Sequence, residues 1–367
     1  MKHENNLIWF DLFRGIAALL VVTGHLRSLM FEDFSSSHNV FSLLFYSVTG
    51  FAHEAVVIFF VLSGFFIIRS IHESTLRNKW DPKEYALNRL TRLWVVLIPS
   101  LLATLVLDKI GLHYFENSFT YTGAIKTMQA VSPLNRSGVM DFIGNVFFVQ
   151  SIFVPTFGSN SALWSLANEF WYYALFPLIY FSLIKYYRVP VRIVSAVIFL
   201  ACLFFVGQGI VLPFIIWLMG GASYLIIKNN LFLKRWIAVK AVLLVFIFIS
   251  ILILIKSKIY TGIFNDFSLG LVTSLMLCVF SKVPMKNNYF RRLTEFLSNI
   301  SYTVYLSHLS FAVLLVSVFL TNKIPFIFSN FMLYLLLLFI TLVYSCLFYY
   351  FFERKTQSVK EFIKRRL

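Results

Sequence analysis

Apolar residues fall along this chain in ten runs close to the ~20 residues a helix needs to cross a hydrocarbon core. They cover about 8–29, 50–71, 92–108, 162–184, 189–206, 209–227, 238–255, 260–280, 297–320 and 330–352. The sixth and eighth are interrupted by Gly220, Gly221 and Asp266. A further run, "FIGNVFFVQSIFV" (142–154), is too short to cross and predicts an interfacial or re-entrant piece. The pattern predicts an all-α polytopic membrane protein of about ten transmembrane helices. A single transmembrane domain would fill 1–367 and end in a short basic tail, 353–367.

Composition agrees. Charged residues make up 13% of the 367 and hydrophobic ones 59%, where a soluble domain carries about 25% charged residues. The N-terminal run lacks a small-residue cleavage pattern and reads as a retained span rather than a removed signal. Cys202, Cys278 and Cys346 all lie in apolar runs without metal-ligand or disulfide spacing, which predicts small buried hydrophobes and no metal site.

Charge sets the orientation. With the N-terminus inside and the loops assigned alternately, 24 lysines and arginines fall on the cytoplasmic side and 7 on the other, while Arg14 lies within a span. The positive-inside rule then places both termini in the cytoplasm, which needs an even number of spans. The net charge of +16 is thus mostly topology. The basic loops face anionic lipid headgroups, and the charge is too scattered to suggest nucleic acid.

Several polar residues inside these runs call for an explanation. In "FDLFRGIAALLVVTGHLRSL" (10–29), Arg14 and His25 stand eleven positions apart, about three turns and roughly 16 Å along one helix face. An ionisable residue inside a span is costly and is a functional-site hypothesis by default. Asp11 lies one turn from Arg14 and can neutralise it. Counting from the outer boundary puts His25 about 5 Å and Glu169 about 10 Å deep, a spacing that suits a histidine base and an orienting carboxylate. Arg89 and Arg92 open the third span from the cytoplasmic side. In isolation they read first as ordinary positive-inside residues, and as a phosphate clamp in the functional reading, since guanidinium groups bind phosphate bidentately. Ser63 and Gly64 in "FFVLSGFF" suit close helix packing or room for a slender ligand. Tyr302, Tyr305 and His308 in "ISYTVYLSHL" share the middle of the ninth span.

Taken in order, "DLFRGIAALLVVTGHL", "FFVLSGF", Arg89-x-x-Arg92, "WSLANEFWYYALFPL" (164–178) and "SYTVYLSHL" (301–309) resemble the acyltransferase-3 family of membrane acyltransferases, which O-acylate surface glycans and related carbohydrates. The resemblance implies that the arginine–histidine motif falls on Arg14 and His25, with His25 the essential residue and base. It places the R-x-x-R motif on Arg89 and Arg92, associated with the acyl-CoA donor. The tryptophan–serine–leucine–glutamate motif falls on Trp164, Ser165, Leu166 and Glu169, and the serine–glycine–phenylalanine motif on Ser63, Gly64 and Phe65. Two departures stand out. Phe170-Trp171 follow the glutamate where members often carry a second acid or glutamine, and Lys355 stands where many have proline after Glu353-Arg354. The hydrolase-like extra domain of some relatives is not expected here.

The activity implied is membrane O-acyl transfer, most simply O-acetyl transfer. The donor would be cytoplasmic acetyl-CoA or another acyl-CoA, used as a substrate rather than as a resident cofactor. The acceptor would be a hydroxyl of O-antigen, capsule, exopolysaccharide or a lipid-linked glycan, and the location the inner (cytoplasmic) membrane. Acyl-CoA would be held by Arg89 and Arg92, its arm passing Arg14 and Ser63-Gly64 towards His25. Direct transfer with His25 as base and an acyl-histidine intermediate both remain open. The outer segment 109–160, with His113, Asn135, Arg136 and Asp141, is the place for acceptor contacts. The competing reading is a proton-coupled transporter or flippase, although a carrier would gather its polar groups near the midplane.

Overall fold

The computed structural model describes residues 7–34, 40–122, 133–185, 187–231, 235–256, 262–285 and 287–366. Lys2, Lys126, Lys234, Lys258 and Lys286, which entered the charge asymmetry, lie outside them, as do residues 123–132 of the proposed acceptor segment, residues 260–261 of the eighth run and Leu367. Among the described residues the chain is all α, with two isolated bridges and no strand.

The ten predicted runs are recovered as helices: α1 (Ile8–Met30), α3 (Ala52–Leu76), α4 (Pro82–Tyr114), α6 (Trp164–Leu183), α7 (Val189–Val206), α8 (Gln208–Lys228), α9 (Ile237–Lys256), α10 (Ile263–Phe280), α11 (Asn288–Phe319) and α12 (Phe328–Phe351). Three shorter helices join them: α2 (Val40–Thr49), α5 (Val139–Val146) and α13 (Thr356–Lys364). Nine helical segments among the described residues are long and apolar enough to cross a membrane. The exception is α6, which has the length but carries Asn168 and Glu169. Two runs extend well past prediction. α4 continues through Pro99 for 33 residues and α11 for 32, longer than the ~20 residues of a span. The extensions, 82–91 and 109–114 of α4 and 288–296 of α11, are more polar segments that carry the helices on beyond their apolar runs. The 142–154 piece is α5 followed by irregular chain, as its length required. The basic tail is ordered into a 3-10 turn, Glu353–Lys355, and then α13.

The chain divides into two compact units. The first comprises Met1–Arg14, Val56–Asp81 and Asn168–Leu297, and the second Gly15–Ala55, Pro82–Ala167 and Ser298–Leu367.

In the first unit, α3 and α8 meet through glycine. A Cβ at Gly220 would run into the carbonyl of Val61, and one at Gly64 into the carbonyl and indole of Trp217. Lipid gives helices no hydrophobic reason to associate, so small residues that allow backbone approach supply the dispersion contact. Trp217 is fully buried among Tyr172, Phe176 and Phe214, with ring centroids 5.6–5.9 Å away. The space beside Gly64 is therefore filled by protein. α9 lies at the other extreme, with no buried residue, and its apolar surface suits lipid.

The second unit is joined by polar side chains. On α4, Ser100 Oγ donates to the carbonyl of Leu306 (2.6 Å), and Thr104 and Ser310 share a hydrogen bond of 2.6 Å. Asn160 Nδ2 donates to the same Leu306 carbonyl at 2.8 Å, so α11 is held from two sides. The irregular chain after α5 is fastened to α4 by Asp108, which is buried and accepts from Ser159 N (2.8 Å) and Oγ (2.6 Å).

The α3–α8 contact predicts a sharp contrast between two glycines of α8. Gly220→Ala should cost about 1–3 kcal/mol through overpacking. Gly209→Ala, whose Cβ would meet nothing within 4 Å, should leave stability unchanged or slightly raised. Thermal unfolding of the detergent-purified variants measures both.

Candidate functional site

α1 carries Asp11 and Arg14 in its first turns, within the first unit, and His25 near its far end, within the second. The Arg14 guanidinium lies over the Phe66 ring, 5.0 Å from its centroid, a cation–π contact that keeps a charge tolerable in an apolar span. His25 is half-buried. Its Nδ1 lies 2.9 Å from Nε2 of His308, and the two rings lie edge to edge and nearly coplanar, with centroids 5.1 Å apart and planes 15° from parallel. His308 has no exposed surface, and its Nδ1 lies 2.8 Å from the carbonyl oxygen of Val304, one turn earlier in α11.

The two tyrosines of "SYTVYLSHL" each reach a different segment of the second unit. Tyr302 Oη donates to the carbonyl of Leu93 at 3.1 Å. Tyr305 Oη donates to the carbonyl of Ala162 at 3.0 Å and lies 2.6 Å from Ser165 Oγ, so two of the sequence motifs meet here. Trp164 stacks on His53, with centroids 6.3 Å apart.

Arg89 and Arg92 occupy the third and fourth turns of α4 and are differently engaged. Arg89 lies over the Tyr85 ring at 5.5 Å. Arg92 pairs through Nη1 with Glu353 Oε1 at 2.7 Å and lies over the Tyr302 ring at 5.2 Å. Glu353 is buried, and its Oε2 also accepts from the backbone N (3.2 Å) and the hydroxyl of Thr303. Half of the presumed clamp thus compensates an internal carboxylate and ties α4, α11 and the tail together.

In the first unit a second polar group forms around Glu169. Trp217 Nε1 donates to Ser63 Oγ (3.1 Å), and Ser63 Oγ donates to Glu169 Oε1 (3.0 Å). Tyr173 Oη donates to the same carboxylate oxygen. Oε1 of Glu169 thus accepts from two hydroxyls, one of them backed by the Trp217 indole. Glu169 and His25 belong to different units.

Sequence reasoning singled out His308, Ser165 and Tyr305 without pairing them as the structure does, and it left out Tyr173, Trp217 and Asp108 entirely. Tyr173 had a signal, lying four residues after Glu169 on the same helix face. Asp108, an acid in an apolar run, had one too. Trp217 had none, because an indole N–H is invisible in a hydrophobic stretch. Among the described residues, no three of His, Cys, Asp and Glu cluster in a way that could hold a metal ion.

The family model described as an acyltransferase domain, that of the acyltransferase-3 family, matches residues 7–350. The chain belongs to the acyltransferase-3 family. Comparison with curated proteins and with solved structures gave no match. The protein is a multi-pass membrane acyltransferase. Membership also decides between an enzyme and a carrier in favour of the enzyme.

The Arg92–Glu353 pair makes a stability prediction. Arg92→Gln leaves Glu353 buried with an uncompensated charge and should cost roughly 1–3 kcal/mol. Adding Glu353→Gln to Arg92→Gln should recover part of that loss, because the charge itself is gone. A double-mutant cycle on thermal unfolding reads the coupling.

Proposed function

We propose that this acyltransferase moves an acyl group, most simply acetyl, from acyl-CoA to a hydroxyl of a surface or exported carbohydrate, with His25 as general base. The observation that carries the reading is the state of His25, an imidazole fixed at Nδ1 by His308 and only half-buried, in the arginine–histidine motif of the family. A base needs both features: a fixed ring, and access for the group that gives up the proton.

In this reading Nε2 of His25 takes the acceptor's hydroxyl proton as the hydroxyl oxygen bonds to the thioester carbonyl carbon. The tetrahedral adduct then collapses and the C–S bond breaks. The departing CoA thiolate takes the proton from the His25 imidazolium, leaving an ester, free CoA and a neutral histidine. A positioned base contributes about 10²–10⁴-fold to such a step. The lysine and arginine asymmetry supports the cytoplasmic membrane with both termini inside. That topology puts Arg89 and Arg92 on the side where acyl-CoA is found, and His25 towards the other. Arg89 and Arg92 are the candidates for holding a CoA phosphate. Glu169, whose Oε1 accepts from Ser63 and Tyr173, lies in the family's tryptophan–serine–leucine–glutamate motif.

The test is mass spectrometry of surface glycans from a deletion strain that carries wild-type protein or His25→Ala at matched membrane levels. The wild-type should add an acyl increment to one sugar, and His25→Ala should abolish it. An increment that survives the loss of His25 overturns the assignment of the base. The absence of any glycan increment from the wild-type overturns the carbohydrate acceptor.

A further inference from the structure

The contacts around His308 fix more than the position of His25. A carbonyl oxygen accepts hydrogen bonds and never donates them, so the 2.8 Å contact between His308 Nδ1 and the Val304 carbonyl requires the hydrogen to be on Nδ1. Neutral imidazole carries a single N–H, so His308 Nε2 is a bare lone pair. The atom 2.9 Å from that lone pair is His25 Nδ1, which has to be the donor. His25 therefore holds its own hydrogen at Nδ1, and its basic lone pair sits on Nε2.

His308 is suited to stay neutral. It has no exposed surface, and an unpaired buried charge is costly. The helix enforces the rest, because the i−4 carbonyl of Val304 belongs to the same α11 that is bolted to α4 and to Asn160 through Leu306. Tyr305, on the adjacent turn, is fastened to Ala162 and Ser165. Rotation of His308 would have to break its bond to Val304 or shift a helix pinned on two sides.

We infer that His308 is a positioning residue for the transfer step: through the relay Val304 C=O···H–Nδ1 His308 Nε2···H–Nδ1 His25 it locks His25 in the tautomer whose Nε2 is the base. A second histidine fills the place that a carboxylate fills in many base–orienter pairs. When His25 becomes protonated, its Nδ1–H strengthens the bond to His308, and no proton has to leave His25 towards the protein interior. The inference rests on His25 being the base.

The experiment compares purified wild-type enzyme with His25→Ala, His308→Phe and His308→Gln, matched for folding by thermal unfolding, using acetyl-CoA turnover with a glycan extract as the acceptor source. His308→Phe keeps a ring but no acceptor, and should lower kcat on the order of 10²-fold with KM for acetyl-CoA unchanged. His308→Gln restores an acceptor oxygen and should recover at least about tenfold of that loss, as expected for the return of one hydrogen bond. In protein labelled with 15N-histidine, the signal lost in His25→Ala should report a protonated Nδ1 in the wild-type and in His308→Gln. An inactive His25→Ala beside a fully active His308→Phe overturns the inference while the base stands. Activity retained in His25→Ala overturns the base, and the inference with it. A wild-type His25 protonated at Nε2, or a folded His308→Gln no better than His308→Phe, overturns the inference directly.

Discussion

Helices surrounded by lipid gain nothing by hiding apolar side chains from one another, because the tails outside are as apolar as leucine. Specific packing must come from backbone approach or from hydrogen bonds, and this acyltransferase uses both. The first brings α3 and α8 together where Gly64 and Gly220 leave no Cβ between them. The second fastens α11 to α4 and to the chain before α6 with hydroxyl and amide side chains. Bonds of this kind are directional, so the second unit specifies helix rotation as well as proximity. Rotation of α11 decides which way His308 faces.

The same economy extends to the charged groups. Arg92, Glu353 and Thr303 form one connected set, and Trp217, Ser63, Glu169 and Tyr173 another. In each, a carboxylate receives several donors, as an acid removed from water requires. The motifs of the family are distributed over these sets and the histidine pair. Loss of one motif residue therefore disturbs a network rather than a single contact.

Much of this was legible in the sequence. Ten apolar runs gave ten helices because a membrane span leaves so few alternatives. His25, Glu169 and His308 stood out because polar groups at that depth are expensive. What the sequence withheld was pairing. The depth count matched His25 with Glu169 along the membrane normal, but depth is one coordinate. The rotations of α1 and α11, which bring His308 to His25 Nδ1, depend on contacts made elsewhere, such as Ser100 with Leu306. The role of Arg92 was hidden for a similar reason. Its partner, Glu353, lies 261 residues away in a tail that reads as merely basic, and only folding of α13 and the preceding turn carries that acid to α4. The lengths of α4 and α11 were underestimated because hydropathy marks where a helix is apolar, not where it ends.

α6 has a consequence for biogenesis. Among the described residues it alone of the ten long helices falls short of the apolarity a span needs, and it carries Asn168 and Glu169 in its second turn, where polar groups weigh against insertion. The helix that presents Glu169 is thus a poor stop signal by itself. In the folded chain its acid is met by the hydroxyl of Ser63 from α3, which in turn accepts from Trp217 of α8. The acid that weakens α6 as an independent span is thus the one that takes its partners from neighbouring helices, which links integration of α6 into lipid to assembly of the carboxylate network.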